Sequence, residues 1–197
     1  MNNDYTVRMI FPTLMHEYLY DKINVKEIVD FCYKQKELNL EGQIKSNRGG
    51  WHSQYFNLND DNIISHTLGE GFGKSIFTSL NQSLKITITY WIMINGPNSY
   101  NTSHTHPDAH FSGVLWLKVP ENSGMLKFES PFSHTGFVEA SSYLDEVKDQ
   151  TTFYHAMSFD PKVGKMLIFP SSLRHEVCVN ESNEDRIAVS FNMHVHS

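Results

Sequence analysis

Two histidines, His104 and His106, and one carboxylate, Asp108, occur within five residues, and a further histidine, His175, follows much later in the chain. On an extended segment, residues two positions apart point the same way, so His106 and Asp108 could share one cation. Two His and one carboxylate on one face of a metal, with open positions opposite, are typical of non-heme Fe(II) sites that bind a co-substrate and O2. We therefore predict a metal site formed by His106, Asp108 and His175.

His104 is an alternative to Asp108, because it also lies two positions from His106. The carboxylate would offset the charge of Fe(II), which favours Asp108. A site of three histidines nevertheless stays open. If His104 is not a ligand, we expect it to orient a ligand or to contact the substrate.

Arg186 begins a strand-like stretch in which polar and aliphatic residues alternate. Strand periodicity places Arg186, Ala188, Ser190 and Asn192 on one face and the aliphatic residues between them on the other. Burying such a polar face costs free energy unless it meets an anion. We predict that Arg186 binds the distal carboxylate of a keto-acid co-substrate, assisted by Ser190 and Asn192.

Residues 49–55 place two glycines beside aromatic and polar side chains. We predict that Trp51, His52 and Tyr55 form part of a substrate mouth or lid. The alternative is a packed loop that Trp51 holds in place. The sequence predicts no catalytic residue beyond the metal centre.

The chain has 197 residues, of which 40% are hydrophobic, enough for one domain with a core. Its net charge of −6 and the absence of a basic run argue against nucleic-acid binding. No apolar run is long enough to span a membrane, and the first residues show no secretory signal, so we expect a cytoplasmic protein. Cys32 and Cys178 form no CxxC motif and are expected to be reduced thiols.

Hydrophobic patterning predicts a strand over 6–11, a helix that Asn24 and Glu27 cap, and a second helical region over 61–83 that glycines divide. Further strands are predicted over 84–94, 112–119, 124–129, 136–140, 164–169, 175–179 and 186–194. This order predicts a mainly β (α+β) fold, a double-stranded β-helix or jelly roll with N-terminal helices packed outside. We expect a single domain over 1–197, with a helical support region over about 1–84 and the β core over about 85–197.

The chain resembles, over most of its length, a family of 2-oxoglutarate/Fe(II)-dependent oxygenases found in bacteria and their phages. The matching motifs lie at 10–12, 46–53, 104–107, 112–114, 124–131, 164–177 and 186–192. The resemblance implies a double-stranded β-helix, Fe(II), 2-oxoglutarate and O2, and a hydroxylation-type reaction on an unknown substrate, either a small molecule or a protein side chain. The family tends to have Ser where Ala188 stands, so Ser190 would replace that contact. The carboxylate after His106-Pro107 is not obligatory in the family, which keeps the three-histidine site open.

Two other functions are compatible with these residues. A cupin-type metalloenzyme that does not use 2-oxoglutarate partly fits the spacing of His104, His106 and His175. Cupins, however, usually place a Glu a few residues after the His-x-His pair, and Arg186 would have no role in them. A non-catalytic jelly-roll binding or structural protein would leave all of these residues without a role. An exposed sheet edge would allow a homodimer.

Overall fold

Strands dominate the part of the chain that the structure, a computed structural model, describes: residues 13–20, 22–81, 83–131 and 156–196. The helices there are α1 (Val25–Leu38), α2 (Ile63–Lys74) and a single 3-10 turn (Ile76–Thr78). The strands are β1 (His16–Leu19), β2 (Asn47–Arg48), β3 (Trp51–His52), β4 (Phe56–Asn57), β5 (Lys85–Asn95), β6 (Tyr100–His104), β7 (Phe111–Lys118), β8 (Leu126–Glu129), β9 (Ala156–Phe159), β10 (Lys165–Pro170), β11 (His175–Val177) and β12 (Arg186–His196).

These strands form two antiparallel sheets. In the major sheet the strand order is β1-β10-β7-β12-β5-β3, with β4 also paired to β5, and in the minor sheet it is β2-β6-β11-β8-β9. From β5 onwards the chain crosses repeatedly between the sheets, as it does in a jelly roll. The predicted mainly β, double-stranded β-helix architecture is confirmed.

The helices, the major sheet and the minor sheet form three layers, and an apolar cluster lies between each neighbouring pair. The larger cluster joins α1 and α2 to the outer face of the major sheet and includes Ile28, Leu68 and Phe72. The smaller cluster includes Trp116, Phe128 and other residues of both sheets, so it occupies part of the space between them. The helices therefore lie outside the β core, as predicted, and the inner faces of the sheets are left to form a site.

Helix ends follow the capping signals in the sequence. Oδ1 of Asn24 accepts from the Glu27 N–H, so Asn24 caps α1 as predicted. The Glu27 carboxylate accepts from the side-chain amide of Asn24, where a capping box would use the Asn24 backbone N–H. Asn62 caps α2 by accepting from two backbone N–H groups. α2 runs through all three of its glycines and ends at Lys74, so the glycines do not divide it.

The predicted strands between 84 and 129 and between 164 and 194 are present, within a few residues of the expected bounds. β6 was not predicted, because its polar sequence has no hydrophobic alternation. The predicted strands over 6–11 and 136–140 lie outside the described residues. None of the helices in the described ranges is long and apolar enough to cross a membrane.

Candidate metal and co-substrate site

Three histidines converge at one end of the minor sheet. His104 is the last residue of β6, His175 is the first residue of β11, and His106 lies in the turn that follows β6. One ring nitrogen from each histidine lies within 4.8 Å of the others. These residues therefore meet the distance requirement for binding one metal ion.

Backbone carbonyls fix the tautomers of two of these rings. Nδ1–H of His104 donates to the carbonyl of Thr102 at 2.7 Å, and Nδ1–H of His175 donates to that of Leu173 at 2.9 Å. The Nε2 lone pair of each ring is then available to a metal.

Burial keeps the three rings neutral. Desolvation, with a smaller contribution from His104, lowers the pKa of His106 to about 4 and the pKa of His175 to about 3. Desolvation also lowers the pKa of His104. A neutral imidazole is the form that binds a metal, so the site is ready for one at neutral pH.

The third ring, His106, has a side chain as its partner. Nδ2 of Asn192 lies 3.5 Å from Nδ1 of His106. Oδ1 of the same side-chain amide accepts a hydrogen bond from the Ser112 hydroxyl at 2.8 Å. Asn192 therefore contacts a candidate ligand, and it is not among the residues that line the cavity in front of the histidines. The sequence did not indicate this contact, because Ser112 and Asn192 are brought together only by strand pairing.

Asp108 lies apart from the three histidines. The expectation of an extended segment is wrong here: the chain turns, with the Ala109 N–H donating to the His106 carbonyl at 3.2 Å and Pro107 at the second turn position. The turn removes the alternation that would have aligned Asp108 with His106. Asp108 is exposed, and the group of residues close enough to share a metal contains His104 in its place.

Arg186 lies on the inner face of the major sheet, directly opposite Asn95 of β5. It is only 3% exposed, and its Nη1 donates to the backbone carbonyls of Ser123, Gly124 and Cys178. Its Nη2 is buried and has no hydrogen-bond partner among the described residues. Desolvation lowers the pKa of Arg186 to about 10, so the side chain stays charged at neutral pH.

A cavity of about 400 Å³ connects Arg186 with the three histidines. Ser190 and Ala188 also line it, while Ile187 and Val189 pack against the helices, so the predicted alternation of β12 is confirmed. The cavity thus contains a candidate metal site and a buried cation that has no carboxylate partner in the part of the chain that the structure describes.

Residues of the segment 49–55 serve both of the roles considered, the substrate mouth and the packed loop. His52 and Tyr55 line the cavity. Trp51 faces the helical side, where it is buried and its Nε1 donates to the Asn39 carbonyl at 2.8 Å. Trp51 therefore holds the loop in place. Several lining residues were not predicted from the sequence, and Lys45 and Trp91 are among them.

Comparison with known proteins identifies the family. The model of a family described as "Putative 2OG-Fe(II) oxygenase" matches residues 89–192, just over half of the chain. Curated protein sequences give no significant match.

Solved structures show the same fold at low sequence identity. A prolyl-4-hydroxylase from Pseudomonas putida is 13% identical, with a TM-score of 0.62 over 94% of each chain. A prolyl hydroxylase from Trichoplax adhaerens, solved with a peptide fragment of the hypoxia inducible factor oxygen degradation domain, is 12% identical, with a TM-score of 0.56 over 86% of this chain and 77% of that one. HygX from Streptomyces hygroscopicus, solved with nickel and 2-oxoglutarate, is 11% identical, with a TM-score of 0.52 over 92% of this chain and 82% of that one.

The matched family region contains β6, β11 and most of β12, and so all three histidines and Arg186. This match supports the oxygenase prediction over the cupin-type enzyme and the non-catalytic jelly roll. The protein belongs to the 2OG-Fe(II) oxygenase family, whose members are oxidoreductases that use Fe(II), 2-oxoglutarate and O2.

Proposed function

We propose that His104, His106 and His175 hold Fe(II), with His104 rather than Asp108 as the third ligand. The observation that carries this assignment is the approach of one nitrogen from each ring to within 4.8 Å of the others. Neutral imidazoles suit Fe(II), and three ligands on one side leave open positions for a co-substrate and O2. Asp108 is exposed in a turn and is not part of this group.

The proposed role of Arg186 is to bind the distal carboxylate of 2-oxoglutarate. A buried guanidinium is costly unless an anion pairs with it, and Nη2 of Arg186 lacks a partner among the described residues. A carboxylate in the cavity would meet that nitrogen in a charge-assisted hydrogen bond. Ser190 lines the same cavity and offers a hydroxyl where the neighbouring Ala188 offers none.

Asn192 is proposed to orient His106 instead of binding the co-substrate. A metal on Nε2 of His106 requires the proton on Nδ1, so the amide of Asn192 must present Oδ1 to that ring. The hydroxyl of Ser112 then accepts from Nδ2 of the same amide. Both ends of the amide stay hydrogen-bonded in this arrangement.

The proposed reaction is hydroxylation of a C–H bond, in a small molecule or a protein side chain. Fe(II) and 2-oxoglutarate supply the oxidising chemistry with O2, and the protein orients the reactants and excludes water. Two of the matched structures are prolyl hydroxylases, which supports this reaction class.

Calorimetric titration of 2-oxoglutarate into Mn(II)-loaded protein tests the assignment. Arg186→Met should weaken binding about 30-fold or more, because it removes the charged partner of a buried carboxylate. Lys34→Met is the control, since it also removes one positive charge but from an exposed position outside the cavity, and it should bind as the wild type does. Equal affinities in the wild type and Arg186→Met would contradict the proposal.

A further inference from the structure

The mouth of the cavity carries a second cation, Lys45, beside a wall of aromatic rings. We infer that the substrate is an organic anion, whose carboxylate or phosphate group pairs with Lys45 while its flat or apolar part lies on the rings of Tyr55 and Trp91. This inference rests on the proposed function, because it concerns the substrate of the same site.

Lys45 is available for such a partner. Its Nζ lies 5.9 Å from the centre of the Tyr55 ring. Lys118 and Lys127 pair with carboxylates, whereas no ion pair joins Lys45 to an Asp or Glu of the described residues. A lysine exposed at a cavity mouth without a carboxylate partner is free to bind an incoming anion.

The position of Lys45 is fixed by the loop around it. Its N–H donates to Oδ1 of the buried Asn47 at 2.7 Å, and Arg48 donates to its carbonyl at 3.1 Å. The next carbonyl, that of Ser46, accepts from the N–H of Thr102 at 2.9 Å. This bond ties the loop to β6, the strand that ends at the candidate metal site, so the backbone of Lys45 is held at the mouth.

The rings form a wall that leads from the mouth to the metal ligands. His52 stacks on Trp91 with centroids 5.5 Å apart and planes 5° apart, and Tyr55 meets Trp91 edge-on at 5.5 Å. Trp91 in turn lies 5.7 Å from the ring of His106. A flat or apolar group that entered beside Lys45 would pack along this wall toward the metal.

The charge of the loaded site also favours an anion. Fe(II) and Arg186 bring three positive charges, 2-oxoglutarate brings two negative ones, and three neutral histidines add none. One positive charge remains, and Lys45 adds a second. No Asp or Glu among the described residues that line the cavity neutralises this excess. The whole chain carries a net charge of −6, so this local excess of positive charge is not a general property of the protein.

The test uses two probes of the same shape and different charge, 4-fluorobenzoate and 4-fluorobenzamide. Each is added to protein that is first saturated with Mn(II) and 2-oxoglutarate, so that Arg186 is already occupied. The paramagnetic broadening of the fluorine NMR signal reports binding close to the metal. A third probe, 4-fluorophenyl phosphate, distinguishes a phosphate from a carboxylate preference.

The inference predicts saturable broadening of one or both anions, with an affinity at least about threefold tighter than that of the amide, as one partly exposed ion pair provides. Lys45→Met should abolish this difference and Lys45→Arg should keep it. Lys34→Met, which removes an exposed charge of α1 outside the cavity, should leave it unchanged. Equal binding of anions and amide, no saturable binding of any probe, or a difference that survives Lys45→Met would overturn the inference.

Two preliminary titrations separate this inference from the function on which it rests. If Lys45→Met weakened the binding of 2-oxoglutarate itself, Lys45 would belong to the co-substrate site and the inference would be wrong. If the wild type bound neither Mn(II) nor 2-oxoglutarate, the proposed function would fail before any probe was added, and the inference with it.

Discussion

His104 and His175 are direct cross-strand partners in the minor sheet, with ring centroids 4.4 Å apart. Each ring donates from Nδ1 to a carbonyl two residues before it in the chain. The pairing of β6 with β11 therefore sets the separation of these two candidate ligands, and the local backbone sets their tautomers. A metal site built on a strand ladder in this way is held by the fold itself.

Removing each of the two candidates for the third ligand, His104 and Asp108, should affect Fe(II) binding differently. His104→Ala should lower the affinity for Fe(II) more than about 100-fold, because loss of an outer partner alone costs about 10- to 100-fold. Asp108→Ala, the matched control in the exposed turn, should bind Fe(II) as the wild type does. Anaerobic titration of both variants checks this, and the reverse order of affinities would restore Asp108 as the ligand.

Asn192 should affect metal binding without touching the metal. Asn192→Leu removes the partner of His106 Nδ1 and should weaken metal affinity about 10- to 100-fold. Asn192→Asp keeps an acceptor at the same place and should bind metal at least as well as the wild type. Competition with a coloured chelator measures both variants, and unchanged affinity in Asn192→Leu would show that the amide has no such role.

The stability of the metal-free protein should depend on pH. In the folded protein the pKa values of His106 and His175 are about 4 and about 3, below the ordinary value of 6.5. Between about pH 4 and pH 6.5 these two histidines therefore bind more protons in the unfolded chain than in the folded one. Their contribution is complete above about pH 6.5 and is lost as the pH falls toward 4. The free energy of unfolding should therefore drop by about 2 to 4 kcal/mol between pH 7 and pH 5.

Urea titrations of chelator-treated protein at both pH values measure this change. His175→Phe should reduce the pH dependence, because it removes one of the two buried imidazoles. An identical pH dependence in the wild type and His175→Phe would show that burial of His175 is not its source.

Two glycines of α2 should respond in opposite directions to the same substitution. A Cβ at Gly71 would lie 2.0 Å from Oη of Tyr20, which donates to the Thr67 carbonyl at 2.7 Å. Gly71→Ala should therefore destabilise the protein by about 1 to 3 kcal/mol. At Gly73 nothing lies within 4 Å, so Gly73→Ala should stabilise it by up to about 1 kcal/mol. Equal effects in chemical denaturation would contradict the close approach of α2 to Tyr20.

Periodicity predicted the parts of the fold in which one face of an element is apolar. β12 alternates as expected, and α1 begins at the Asn24 N-cap that the sequence indicates. β6, which carries His104, was not predicted, because its sequence has no alternation of polar and apolar residues. Local pattern could not reveal the turn that begins at His106, and this turn is one reason for proposing His104 rather than Asp108 as the third ligand. Folding brings the loop carbonyls of Ser123, Gly124 and Cys178 to Arg186. Strand pairing brings Asn192 to His106, so neither set of contacts could be predicted from local sequence.

We propose that one cavity binds Fe(II) through three histidines and 2-oxoglutarate through Arg186. Anaerobic addition of Fe(II) and 2-oxoglutarate, followed in the visible range, tests both assignments together. We expect a weak metal-to-ligand charge-transfer band that requires both additions, disappears in His104→Ala, persists in Asp108→Ala and needs far more 2-oxoglutarate in Arg186→Met. Fe(II) binding without such a band in the wild type, or a band that survives His104→Ala unchanged, would contradict the claim.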